Sequence, residues 1–224
     1  MTDGRWAEVD DYFGALMIAE DPALAASLAS SEAAGLPSIA VSPALGKLLR
    51  LLATAIGARR VLELGTLGGY STIWLARALP EDGTLVTLES VPEHAEVARA
   101  NIANAGLAER VELRVGPASE SLPRLAEEGG PPFDLIFIDA DKEHNAEYLD
   151  WALRLSRPGT MIIVDNVVRD GKVLDRDDPD PRVKGTRRFA ELLAQRPGCS
   201  ATTVQTVGVK GWDGFTLAVV SEPS

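Results

Sequence analysis

The chain predicts an α/β fold: a mostly parallel sheet of seven strands with helices on both faces, an antiparallel hairpin at its C-terminal end and an N-terminal helical cap. Three observations carry this. From Arg60 onward, short β-rich apolar runs alternate with helical stretches, the signature of parallel strands joined by crossover helices. The last two runs have no helix between them and so pair antiparallel. Before Arg60 the apolar spacing is helical.

In chain order, Ala7 to Glu20, Pro22 to Ala34 and Ser42 to Ile56 place apolar residues at helical spacing, separated by breaks at Asp21-Pro22 and Gly35-Leu36-Pro37. These helices form a cap over residues 1–57, part of the same domain as the core at 58–224. Strands follow near 60–65, 84–89, 110–115, 133–138, 160–165, 201–207 and 214–220. Helices fall between them near 71–79, 92–105, 118–127, 144–156 and 183–195, and a turn around Gly208 to Gly214 joins the last two strands. The stretch RDGKVLDRDDPDPR (169–182) is charged, contains two prolines, and reads as a loop.

At 224 residues, 46% hydrophobic and 25% charged, the chain fits one globular domain with a substantial core. Its net charge of -11 repels nucleic acid and anionic membrane surfaces, and no basic patch overrides that field. Met1 to Glu20 carries acids where a signal peptide carries positive charge, and no apolar run approaches the roughly 18 residues of a spanning helix, so a cytoplasmic location is expected. Cys199 stands alone, which rules out an intrachain disulfide or a thiolate zinc site. With only His94 and His144 besides, any metal must be held mainly by oxygen.

Two strand ends are acidic. Asp139, Asp141 and Lys142 follow the run Phe133 to Ile138, and Asp165 with Asn166 follows Met161 to Val164. Open α/β sheets bind ligands outside the carboxyl ends of their strands, so two carboxylates and a carboxamide converge there as hard oxygen donors suited to a divalent cation. Upstream, VLELGTLGGYST (61–72) reads as strand, glycine turn and helix start, with Ser71 and Thr72 as possible caps. Leu67 and Tyr70 occupy the second and third glycine places of a dinucleotide fingerprint, so a pyrophosphate could not approach closely. Glu63 would repel phosphate yet attract a cationic ligand such as S-adenosylmethionine, which carries an ammonium and a sulfonium. Glu89 ends the second strand at the offset where an acid meets a ribose diol, and Gly116-Pro117-Ala118-Ser119 forms a tight turn that could lie against adenine. Taken singly, these residues are ordinary turn or strand-end chemistry; in order they favour a cofactor site.

The ordered set ELGTLGGYS (63–71), VTLES (86–90), GPA (116–118), FIDADK (137–142) and VDNV (164–167) resembles the cation-dependent O-methyltransferases of the catechol and caffeoyl-coenzyme A type. Similarity runs from about Ser38 to Val220, including SPALGKLLRLL (42–52) and DGFTLAVV (213–220). The resemblance implies a Rossmann-like seven-stranded sheet, S-adenosylmethionine as methyl donor, and Mg2+ or a similar ion such as Mn2+ or Ca2+ holding a vicinal-diol phenol. It implies Asp139, Asp165 and Asn166 as metal ligands and Lys142 as general base, with Asp139 close to both metal and cofactor. Glu63, Gly65, Ser71, Glu89 and Ala118 would contact the cofactor, with Val41 and Ser42 closing over its methionine end.

Some residues depart from the family pattern. His144 and Asn145 replace the usual asparagine–tyrosine pair after the DADK motif, although Tyr148 is retained, and Lys47 stands where many members have glutamine. The acids Asp175, Asp177, Asp178 and Asp180 suggest an acidic lid, which would disfavour a coenzyme A ester and favour a neutral or modestly charged phenol. The competing readings are a metal-independent methyltransferase and a non-catalytic S-adenosylmethionine-binding module; a nicotinamide dehydrogenase fits least. The N-terminal helices carry apolar faces beyond what the sheet requires, so a homodimer is expected.

Overall fold

A computed structural model of the protein describes residues 3–221. Three helices lead: α1 (Asp3–Met17), α2 (Pro22–Ala33) and α3 (Pro43–Ala55). Asp21 starts α2 by accepting from the Ala23 and Leu24 amides, and Ser42 starts α3 by accepting from Leu45. In both, proline fills the first turn, where its missing N–H costs nothing. The core then alternates β1 (Arg60–Leu64), α4 (Tyr70–Ala76), β2 (Thr84–Glu89), α5 (Pro92–Asn104), β3 (Val111–Val115), α6 (Ala118–Glu127), β4 (Phe133–Ile138) and α7 (Asn145–Arg154). It ends with β5 (Ser156–Asp165), α8 (Pro181–Ala194), β6 (Cys199–Gly208) and β7 (Gly211–Val220).

The seven strands lie in the order β3-β2-β1-β4-β5-β7-β6. The first five pair in parallel, while β7 runs antiparallel between β5 and β6. Strand order reverses between β1 and β4, which makes their carboxyl ends the switch point where such sheets open a crevice. Alternate strand residues feed two cores. Val61, Leu135 and Ile163 pack with Leu24, Leu49 and Ala53 of the leading helices and with Ile73 and Ile102 of α4 and α5. Leu62, Ile136 and Ile162 pack on the other face with Leu122, Leu149 and Phe189 of α6, α7 and α8.

The sequence-based boundaries differ in several places. α1 starts at Asp3 and stops at Met17, and α4 ends at Ala76, earlier than its periodicity suggests. β5 reaches back to Ser156, because its Arg157-Pro158-Gly159 stretch, which looks like a turn, continues as strand beyond the bulge opposite Phe133. The hairpin turn is only Val209-Lys210, since Gly208 pairs with Gly211. A short 3-10 turn at Lys142–His144 precedes α7, and another at Lys172–Leu174 interrupts the stretch expected as loop.

Candidate active site

The carboxyl ends of β1, β2, β4 and β5 open onto a cavity of about 980 Å³ roofed by the segment joining α2 to α3. Its walls include Val41, Ser42, Gly65, Ser71, Glu89, Ala118, Asp139, Lys142 and Asn166. Asp165 lines a smaller neighbouring cavity of about 410 Å³ together with Asn166, which faces both. Glu63 lies on neither wall, being wholly buried beneath the glycine turn.

At the switch point Asp139 N–H donates to the Leu64 carbonyl at 2.8 Å, so the ends of β1 and β4 are joined. Gly65 has φ +91, and a Cβ there would run into the Asp139 backbone carbonyl, which makes glycine obligatory on two counts. Leu67, also left-handed at φ 50, is held by Glu89, whose Oε2 accepts from Leu67 N at 2.7 Å and Thr66 N at 3.2 Å. Glu89 Oε1 accepts from Val91 N at 3.0 Å. Glu89 thus shapes the turn before any ligand arrives, and it lines the cavity beside His94, whose Nδ1 lies 3.6 Å from Oε1. Ser71 and Thr72 do not cap α4. Gly69 occupies the cap position at φ 83, and Thr72, inside the helix, donates to Glu63 instead.

Glu63 Oε2 accepts from Thr72 Oγ1 at 2.5 Å and Thr87 Oγ1 at 2.8 Å, while Oε1 is buried with no partner. Burial pushes its carboxyl up to about 7; the hydroxyls of Thr72, Ser71 and Thr87 around it pull the other way, and the charge of Asp139 adds to the rise. An orphaned, burdened carboxylate under the cavity floor suits a positively charged ligand above it.

On the other side, Lys142 Nζ lies 2.6 Å from Asp139 Oδ1, and its side chain is only 8% exposed, so it is no solvated surface lysine. Burial also raises the Asp165 carboxyl above the usual range, and Asp139 raises it further; Lys142 and the Asn166 amide oppose this. Among the described residues no group of three His, Cys, Asp or Glu is placed to hold a metal. The convergent set is two carboxylates and a carboxamide, all hard oxygen donors, and the mutual repulsion of Asp139 and Asp165 is what a divalent cation would relieve. The donor chemistry therefore fits magnesium. Asn166 sits at φ 56, a left-handed conformation that asparagine tolerates better than most residues.

Asp141, part of the same acidic motif, also lines the cavity, but its carboxylate is engaged there: it accepts from Tyr148 Oη at 2.5 Å and is paired with His144. The expected acidic lid is not acidic toward the cavity. Asp175 and Asp178 accept from backbone amides of their own turns, and Asp180 caps α8 and holds Arg182. The side chains of this segment that reach the cavity are Arg169 and Arg182. Sequence reasoning also missed Asn101, which ties α5 to the glycine turn and to α2. Its only sequence signal is a polar residue on a helix face that is otherwise alanine and isoleucine.

The family described as O-methyltransferase matches residues 18–220. The catechol O-methyltransferase of Mycobacterium tuberculosis is 57% identical over 213 residues, 95% of either chain. That of Niastella koreensis is 54% identical and covers 98% of this chain and 100% of its own. The crystal structure of an O-methyltransferase from Bacillus cereus in complex with SAH superposes with a TM-score of 0.96 at 55% identity, covering 97% of this chain and 99% of that one. With the crossover sheet, the glycine turn and the acidic strand ends all in place, the chain belongs to the O-methyltransferase family.

Proposed function

We propose that the protein transfers the methyl group of S-adenosylmethionine to a hydroxyl of a vicinal-diol phenol with the help of a divalent cation, magnesium being the expected one. The single observation that carries this reading is the Asp139–Lys142 pair at 2.6 Å, set between the glycine turn on one side and Asp165 with Asn166 on the other. Relatives named for catechol methylation, and a solved neighbour holding SAH, support the donor and the acceptor class.

The donor supplies an electrophilic methyl on a sulfonium, and the cation, when held by Asp139, Asp165 and Asn166, supplies Lewis acidity that lowers the acceptor's hydroxyl pKa. The chain does the rest. Of the residues that line the cavity, Glu89 would receive the ribose hydroxyls, Ala118 and Gly116 would flank the adenine, and Gly65 and Ser71 would hold the methionine end, with Glu63 buried beneath. Val41 and Ser42, from the segment above, would exclude water and help set the acceptor oxygen in line with the methyl group. Lys142, having first lost its own proton to solvent, would take the hydroxyl proton on Nζ as the oxygen attacks. That transfer restores the charged Asp139–Lys142 pair, so Asp139 serves both the acceptor and the donor halves.

We also propose a homodimer. Val9, Tyr12, Phe13, Leu16 and Met17 form a single helical stripe on α1, each at least 49% exposed, and Val204, Val207 and Val209 are exposed beside the strand that α1 touches. A second copy would cover this stripe. Light scattering of the intact protein and of Leu16→Glu tests it: the expected outcome is a dimer that the charge dissociates.

The function itself is tested by assaying the protein with S-adenosylmethionine and catechol, before and after exhaustive chelation. Turnover should vanish and return with added magnesium; undiminished turnover after chelation removes the metal role.

A further inference from the structure

In a chain of net charge -11, four cations, Arg169, Arg182, Lys142 and Lys210, line the cavity beside Asp139 and Asp141. Most are already matched. Lys142 pairs with Asp139, Lys210 Nζ donates to the Ser38 carbonyl at 3.2 Å, and Arg182 pairs with Asp180 through Nη2 at 2.7 Å. Arg169 is different. Its Nε is buried without a hydrogen-bond partner, and the nearby carboxylate of Asp180, which feels its charge, is engaged by Arg182. Arg182 occupies that carboxylate, so among the described residues no carboxylate pairs with the guanidinium of Arg169, which lines the cavity.

The backbone that aims Arg169 is unusual. Arg169 and Asp170 both have left-handed φ, 56 and 54, followed by Gly171 at 78. Side-chain-bearing residues resist that region, and two in succession persist only where the surroundings impose it. Asp213 Oδ1 imposes it here, accepting from Val168 N at 2.9 Å and Arg169 N at 3.0 Å, while Asp170 N donates to the Trp212 carbonyl. The strained turn begins only three residues after Asn166, so it sets Arg169 beside the acceptor end.

Resting on the catechol reading above, we propose that Arg169 is a specificity residue that receives an anionic group, a ring carboxylate, on the phenolic acceptor. The preferred substrate class is thus an aromatic acid bearing a vicinal diol. A carboxylate in the cavity would take up the donors that the Arg169 guanidinium presents there. A neutral phenol of the same shape would leave Arg169 unpaired.

The test compares 3,4-dihydroxybenzoate with its methyl ester, which keeps the diol and the size but removes the charge, under saturating S-adenosylmethionine and magnesium. Wild-type kcat/KM should favour the acid by about tenfold or more. Arg169→Gln should lose about tenfold to a hundredfold on the acid, chiefly in KM, and change less than about threefold on the ester. Arg169→Lys, which keeps the charge but not the fork, should fall between. Equal loss on both compounds, or a wild-type preference for the ester, overturns the assignment of Arg169 while leaving the methyltransferase reading intact. Failure of the wild type to methylate either diol sinks that reading, and this inference with it.

Discussion

Asn101 Nδ2 donates to the carbonyl of Gly68 at 2.8 Å, fastening α5 to the glycine turn. The same amide accepts from Ser30 Oγ at 2.6 Å through Oδ1, so α2 of the cap is tied to the floor of the donor site by one buried side chain. Gly68 is closely approached by Ser31, with no room for a Cβ. Cap and turn are therefore one unit. Asn101→Ala should destabilise the protein by about 1–3 kcal/mol, since it leaves Gly68 O and Ser30 Oγ without their partner. Urea unfolding measures that cost, and titration calorimetry should show weaker S-adenosylmethionine binding. Unchanged cofactor affinity would separate the cap from the donor site.

Glu63 makes stability depend on pH in a defined direction. Its carboxyl is raised from an ordinary 4.5 to about 7 by burial. The folded state thus holds a proton that the unfolded chain releases, so its stabilising effect is full below about pH 4.5 and is lost as pH rises through about 7. The loss is of the order of 3 kcal/mol. Glu63→Gln lacks this group, so unfolding at pH 5 and pH 8 in the cofactor-free and metal-free protein should show wild type losing more stability across the interval than the variant. Parallel losses would show that Glu63 ionises normally.

Gly185 of α8 touches the turn that carries Lys142. A Cβ there would collide with the Lys142 carbonyl and press on Glu143. Gly185→Ala should therefore displace Lys142 and lower kcat by about tenfold or more while S-adenosylmethionine affinity stays within about twofold, because misplacement of a reacting group by a fraction of an ångström is costly. A variant that loses both equally would point to general unfolding instead, which a thermal melt would reveal.

Asp165→Ala removes one hard ligand and a buried charge. We expect turnover to fall at least about a hundredfold and magnesium affinity to drop, with S-adenosylmethionine still bound. Normal turnover would take Asp165 out of the metal set.

The fold was legible where burial dominates. The runs 60–65, 84–89 and 133–138 are nearly all buried on both faces, so continuous apolar sequence marks them as interior parallel strands. β6 is exposed along most of its length and its start at Cys199 carries no such mark. The Ser156–Gly159 extension was hidden by Pro158, which usually signals a turn but sits here at a bulged end of β5. Site residues at strand ends were legible as types and order. The sign of charge facing the cavity was not, because Asp175, Asp178 and Asp180 are spent on local caps, and sequence records a charge without recording where its side chain turns. Cap chemistry at α4 misled for a related reason: the left-handed Gly69 does the work expected of Ser71 or Thr72.

β7, the last strand in chain order, lies inside the sheet between β5 and β6. Gly214 accepts from Val167 N, and Asp213 accepts from the amides of Val168 and Arg169, so the turn after Asn166 takes its fixed points from residues some 45 positions later. The acceptor side of the site is therefore shaped by the strand that leaves the ribosome last, and because β7 is an interior strand the same insertion that completes the sheet also fixes the turn carrying Arg169.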